Sequence, residues 1–280
     1  MISAGNGLPL TSDSITQTCQ LLHWGDKQPE VTLTLSGFQD EPVRIEMFHV
    51  MGKSYGGHLH KIEAKYLGEF RCDPPGLLVP SPSVGAVSMV LPPSASEVKI
   101  IYRASDVCTR RKLRVSSPAL QQPVEIIVDV KYAVQLYDLH QYDTPNLELY
   151  TGDDVHPEEV SHYGTRAMID ALVAIDRAFR EAVRNGDLPA DTPIIKVNDM
   201  SLPWGGSLRI YGDMLIQSKD GSWVTNSHKT HKWGTDVDIS YNAMTTSKQR
   251  TWFKTEASKH FTTVDIHNKG ESQQHWHLDL

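Results

Sequence analysis

The spacing of apolar residues changes period part-way along the chain, and that change limits the folds open to it. From about Glu30 to Val134 the apolar residues come in short runs: Val31–Leu35, Val43–Met47, Val87–Leu91, Val98–Tyr102 and Val124–Val130. Several alternate apolar with polar, the period of a strand with one face buried. Asp73-Pro74-Pro75-Gly76 and Pro80-Ser81-Pro82-Ser83 supply turns between them. Many short strands punctuated by turns predict an all-β domain of the Ig-like sandwich kind. No helical pattern of useful length occurs in this half.

Further on, Met168, Leu172, Ile175, Phe179 and Val183 fall three or four residues apart, with Arg177, Arg180, Glu181 and Arg184 between them. That spacing predicts an amphipathic helix. Thr165 is its expected N-cap and Asn185-Gly186 its stop. Strands are expected at Pro193–Val197, Asp236–Tyr241, Thr262–His267 and His275–Leu280. The last two form a hairpin about Asn268-Lys269-Gly270-Glu271. The acidic, polar residues 141–160 read as a linker. The sequence therefore divides into an all-β domain (1–140), a linker (141–160) and an α+β domain (161–280).

Composition removes several functions. The chain is 39% apolar and 22% charged, with a net charge of −7, so nothing suggests a nucleic-acid partner. Arg110-Arg111-Lys112 reads as a solvated strand end. No apolar run approaches the ~18 residues of a membrane span. Met1–Ser14 shows no basic region followed by an apolar core. The expectation is export by another route, loss of the signal, or retention inside. Cys19, Cys72 and Cys108 are an odd set without zinc-ribbon spacing, and nothing in the sequence chooses a disulfide pair among them.

Chemistry concentrates near the C-terminus. One segment reads His228-Lys229-Thr230-His231-Lys232-Trp233-Gly234-Thr235-Asp236-Val237-Asp238-Ile239, and another reads His275-Trp276-His277. On strands, Asp236 and Asp238 share a face, and so do His275 and His277. Pairing of the two strands would gather a carboxylate and imidazoles on one sheet face. Gly234 permits the sharp turn that brings in His231. Two histidines and one carboxylate are the ligand set of a catalytic zinc with an open position.

The spacing His231-x-x-Gly234-x-x-x-Asp238 followed by His275-x-His277 resembles that of the LAS metallopeptidases. The D-alanyl-D-alanine peptidases and the penicillin-insensitive murein endopeptidases belong to this group. Asn198-Asp199-Met200-Ser201-Leu202-Pro203-Trp204-Gly205-Gly206 and Tyr163-Gly164-Thr165 are similar to the murein endopeptidases. The resemblance covers about residues 161–280. It implies an antiparallel sheet with helices packed on it, and Zn2+ bound by His231, Asp238 and His277. It also implies that His275 is the catalytic base and that the substrate is the peptide part of peptidoglycan, in the periplasm or at the cell wall. Arg209 is the candidate cation for the developing oxyanion. The β domain is left to dock a delivery or docking partner, or the wall itself.

Two alternatives stay open at this level. One is a D,D- or L,D-carboxypeptidase that trims wall peptides. The other is a non-catalytic zinc module for wall binding or docking, in which His228 or His267 closes the metal site. His58-Leu59-His60 reads as an exposed strand pair, and His156 and His162 as solvent-facing. Trp204, Trp223 and Trp233 either line a substrate groove or pack loop onto core. No G-x-S-x-G, H-E-x-x-H or phosphate-loop motif occurs.

Overall fold

A computed structural model describes residues 2–4, 9–10, 19–24, 28–36, 41–58, 62–73, 75, 78–80, 86–91, 97–150, 161–207, 215–217, 223–225, 231–270 and 274–280. Among these the chain is mostly β-sheet with two α-helices, and neither helix is long and apolar enough to cross a membrane. It divides into two compact units, Met1–Ala133 with Arg209–Ser227, and Val134–Leu208 with His228–Leu280.

In the first unit the strands are β1 (Ile2–Ala4), β2 (Pro9–Leu10), β3 (Cys19–Trp24), β4 (Glu30–Ser36), β5 (Val43–His49) and β6 (Glu69–Asp73). After these come β7 (Val79–Pro80), β8 (Ala86–Leu91), β9 (Glu97–Arg103), β10 (Arg110–Ser116) and β11 (Val124–Tyr132). They form a sheet ordered β2-β1-β4-β9-β6 and a second ordered β3-β11-β10-β5-β8-β7. All pairs are antiparallel except β3 with β11. Alternation decides the faces. Val31, Leu33 and Leu35 of β4 are buried, as are Ile45 and Met47 of β5 and Leu113 and Val115 of β10.

Two readings of this half are corrected. Arg111 is a fully buried member of β10 rather than part of a solvated strand end. β10 alternates, so Arg111 shares the inward face with Leu113 and Val115. Its guanidinium donates to the carbonyls of Leu67 and Val107 and to the hydroxyls of Tyr102 and Ser105. Those neutral oxygens take hydrogens of the two terminal nitrogens, while Nε has no acceptor among the described residues. His58 is 4% exposed and outside any strand, so it is no exposed strand pair; its ring lies edge-on to His49, 6.4 Å between centroids. Leu59 and His60 lie outside the described residues.

The second unit contains β12 (Tyr137–Asp138), β13 (Leu147–Leu149), β14 (Tyr163–Gly164), α1 (Arg166–Arg184) and β15 (Ile195–Val197). β16 (Leu215–Gln217) and β17 (Trp223–Thr225), which pair with each other, belong to the first unit; the second unit resumes with β18 (Asp236–Ser240), α2 (Ser247–Ala257), β19 (Thr263–His267) and β20 (His275–Asp279). Its main sheet is ordered β13-β15-β18-β20-β19, with only β13 and β15 parallel. Residues 141–150 are therefore not linker. β13 is a sheet edge, and Leu147 is buried because it faces the core. Residues 151–160 lie outside the described residues.

The Thr165 hydroxyl accepts from Met168 N–H, the expected N-cap of α1. Met168, Leu172, Ile175 and Phe179 carry the buried face of that helix. They share a core with Val237 and Ile239 of β18, Trp276 and Leu278 of β20, and Phe253 of α2. Phe179 meets Trp252 edge-on, and Phe253 meets Trp276 at 5.7 Å. A buried side chain of this size contributes about 2–3 kcal/mol. His162 is fully buried, not solvent-facing: β14 draws it inward, and its ring packs 5.3 Å from that of His140.

Candidate metal centre

Three adjacent strands set out the site. β18 and β20 pair so that Asp238 lies directly opposite His277 and Asp236 opposite Asp279. On the other side of β20, Asp265 lies opposite His277 and His267 opposite His275. Cross-strand partners share a face, and every second residue returns to it. One face of this sheet thus carries the carboxylates and imidazoles. The other carries Val237, Ile239, Trp276 and Leu278 into the core.

His231 comes from outside the sheet, on a 3-10 turn, His231–Trp233. Gly234 closes that turn at φ 69°, a left-handed conformation that suits glycine. Its carbonyl accepts from Thr165 N–H at 2.9 Å, and the Lys232 carbonyl accepts from Gly206 N–H at 3.0 Å. The start of α1 and the Gly205-Gly206 turn therefore hold His231 over the strands. Asp199, next to β15, bonds backbone to backbone with Asp238 N–H at 2.8 Å.

Asp238 is the hub of the group. Its Oδ2 is 3.4 Å from His231 Nε2 and 3.5 Å from His275 Nε2, and its Oδ1 is 2.9 Å from His277 Nδ1. One ligand atom from each of His231, Asp238 and His277 lies within 4.8 Å of the other two. Zinc bonds of ~2.0–2.2 Å in a tetrahedron separate ligand atoms by about 3.3–3.6 Å, so the three fit such an ion with small side-chain adjustments. His267 stacks on His277, with centroids 4.7 Å apart and planes 8° from parallel.

The electrostatics fit a cation as well. His277 is pushed up to about 10 by its contact with Asp236 and then by that with Asp238, against burial. For His231 burial is the largest effect and lowers its pKa. The bond to Asp238 and the charges of Asp238, Asp199 and Asp236 outweigh burial, and the net direction is up. Burial alone would raise Asp238, but bonds from His231 and His277 hold it far below the usual carboxylate range. These buried carboxylates draw positive charge, as protons on imidazoles or as a metal.

The structure thus brings together His231, Asp238 and His277, with His275 beside Asp238. Arg209, His228 and Glu271 lie outside the described residues, and so do His156 and the Trp223 side chain. Trp204 and Trp233 are partly buried. Sequence reasoning did not give a role to Asp199 or Asp265. The signal for Asp265 was its place two residues before His267 on the expected hairpin arm. Asp199 stands in the 198–206 passage of the resemblance, but its charge acts on His231 across the fold, which no local spacing shows.

No protein-family model matches the chain, and no curated protein matches it. Solved structures similar to parts of it include the pilus backbone protein RrgB of Streptococcus pneumoniae, at 10% identity and TM-score 0.22 over 41% of this chain and 31% of that one. A family 123 glycoside hydrolase from Clostridium perfringens shows 9% identity and TM-score 0.24, over 51% of this chain and 29% of that one. The CooA pilin subunit of enterotoxigenic Escherichia coli shows 8% identity and TM-score 0.20, over 47% of this chain and 97% of that one. The chain spans 31% and 29% of the length of the first two. At these TM-scores the likenesses carry no argument about its fold or activity.

Proposed function

We propose that this chain is a zinc-dependent hydrolase of the LAS type that cuts peptide bonds of bacterial peptidoglycan, acting first on cross-links. The observation that carries this reading is the convergence of His231, Asp238 and His277, with His275 against Asp238. His231, Asp238 and His277 hold the ion. Zinc, when bound, supplies Lewis-acid polarisation of a carbonyl and acidifies water. His275, partly exposed at the edge of the group, takes a proton from water at Nε2 and returns it to the leaving amine. Asp238 Oδ2 lies 3.5 Å from that nitrogen.

The substrate class rests on the resemblance of residues 231–239 and 275–277 to peptidases of the cell wall. The site of action is then the periplasm or the wall. The N-terminal domain, read as an Ig-like sandwich because both its sheets bury one face, serves as the docking part for the wall or for a delivery partner. The test is mass spectrometry of purified sacculi after incubation with the zinc-loaded full chain, beside its His277→Ala variant. New uncross-linked peptides from the wild type alone are expected. Loss of a terminal D-amino acid instead would make it a carboxypeptidase. No new species from a chain holding one tightly bound zinc would sink the hydrolase reading in favour of a binding module.

A further inference from the structure

Asp236 is 1% exposed. Its Oδ1 lies 3.3 Å from His277 Nε2, and its Oδ2 accepts from the Thr235 hydroxyl at 3.0 Å. Among the described residues no lysine or arginine pairs with it. A carboxylate this deeply buried is costly unless its surroundings use the charge. The strands explain where it sits. Asp238 is directly opposite His277, while Asp236, two residues earlier, is diagonal to it and reaches the far side of the same ring.

Both nitrogens of His277 therefore face a carboxylate, Nδ1 toward Asp238 and Nε2 toward Asp236. The two carboxylates are not equivalent. Asp238 also approaches His231 and His275, whereas Asp236 pairs with the imidazole of His277. An imidazole that ligates a metal is neutral, and its other nitrogen keeps a hydrogen that needs an acceptor. The parallel stack of His267 on His277 restrains the ring from a third side.

We infer that Asp236 is a positioning residue of the metal site: it accepts the Nε2–H of His277, sets the tautomer and aims Nδ1 at the space between Asp238 and His231. This rests on the metal-binding reading above. The experiment is a zinc titration of the metal-free full chain against a chelating indicator, for wild type, Asp236→Ala and Asp236→Asn. Asp236→Ala is expected to weaken zinc binding about 10–100-fold with an unchanged far-UV circular dichroism spectrum. Asp236→Asn keeps an acceptor and recovers most of the loss. Wild-type zinc affinity in Asp236→Ala overturns the inference while leaving the metal site intact. A wild type that takes up no zinc overturns the metal reading and this inference with it. Should Asp236→Ala fail to fold, nitrogen-15 histidine NMR of the zinc-loaded wild type decides: coordinated Nδ1 with protonated Nε2 is expected, and coordinated Nε2 overturns the assignment.

Discussion

Replacing Gly234 by alanine tests whether the turn that carries His231 is built as described. Gly234 has φ 69°, and a Cβ there would lie 2.5 Å from Leu136 Cδ2, 3.1 Å from Gly164 Cα and 3.3 Å from Thr165 N. A left-handed conformation costs a residue with a side chain about 1–2 kcal/mol. Leucine Cδ2 can move, but the Gly164 and Thr165 backbone cannot move without disturbing the Thr165–Gly234 hydrogen bond of 2.9 Å. Overpacking of this kind adds about 1–3 kcal/mol. The expected total is about 2–5 kcal/mol, spent either as lost stability or as a displaced turn. Chemical denaturation of the metal-free chain reads the first, and a zinc titration reads the second. Weaker zinc binding should accompany whatever part of the cost does not appear in stability. An alanine variant with wild-type stability and wild-type zinc affinity would refute this account of how the turn is seated.

Phe253→Ala removes a fully buried ring from the contact between α2 and Trp276, and should cost about 3–5 kcal/mol in denaturant unfolding; a loss below about 1 kcal/mol would mean that α2 is not docked on the sheet. The first unit should be acid-sensitive. Burial, then Arg111, holds His49 down to about 4, while burial, then His49 and Arg111, holds His58 down to about 3. Below pH 6.5 the unfolded chain takes up protons that the folded chain refuses, so stability falls as pH falls toward those values. The slope is about 1.4 kcal/mol per pH unit for each histidine. Unfolding free energies at pH 7, 5.5 and 4.5 should show the decline, and His58→Gln should flatten it; an equal slope in the variant would count against the burial argument.

The residues of the candidate site were legible as a group because their signal is local. His231, Gly234 and Asp238 lie within eight positions, His275 and His277 two apart, and strand alternation does the rest. The first helix was legible for the same reason, a clean period with a threonine cap. The second helix was not. Its buried stripe is Gln249, Phe253 and Ala257, so a polar residue starts it and only one large apolar side chain marks it. The Gln249 amide bonds to the Pro193 carbonyl, a partner 56 residues away. Arg111, His58 and His162 were misread as solvent-facing because residue type says nothing of the packing that buries them, such as the Leu67 carbonyl against Arg111 and the rings of His49 and His140 against His58 and His162. The linker reading of residues 141–150 failed likewise, since an edge strand of three residues leaves almost no periodic trace.

β20 alternates His275, Trp276, His277 and Leu278, so each histidine has a core residue as its immediate neighbour on the opposite side of the sheet. A slip of one residue against β18 would exchange the two sets, putting indole and leucine into water and imidazoles into the helix layer. The hydrophobic penalty for Trp276 and Leu278 together is about 3–6 kcal/mol, which makes the misaligned form rare without any contribution from a metal. Proofreading of strand alignment is thus done by side chains that never meet a ligand. Changes at Trp276 or Leu278 would then be felt first as errors in ligand geometry, before the unit lost its fold.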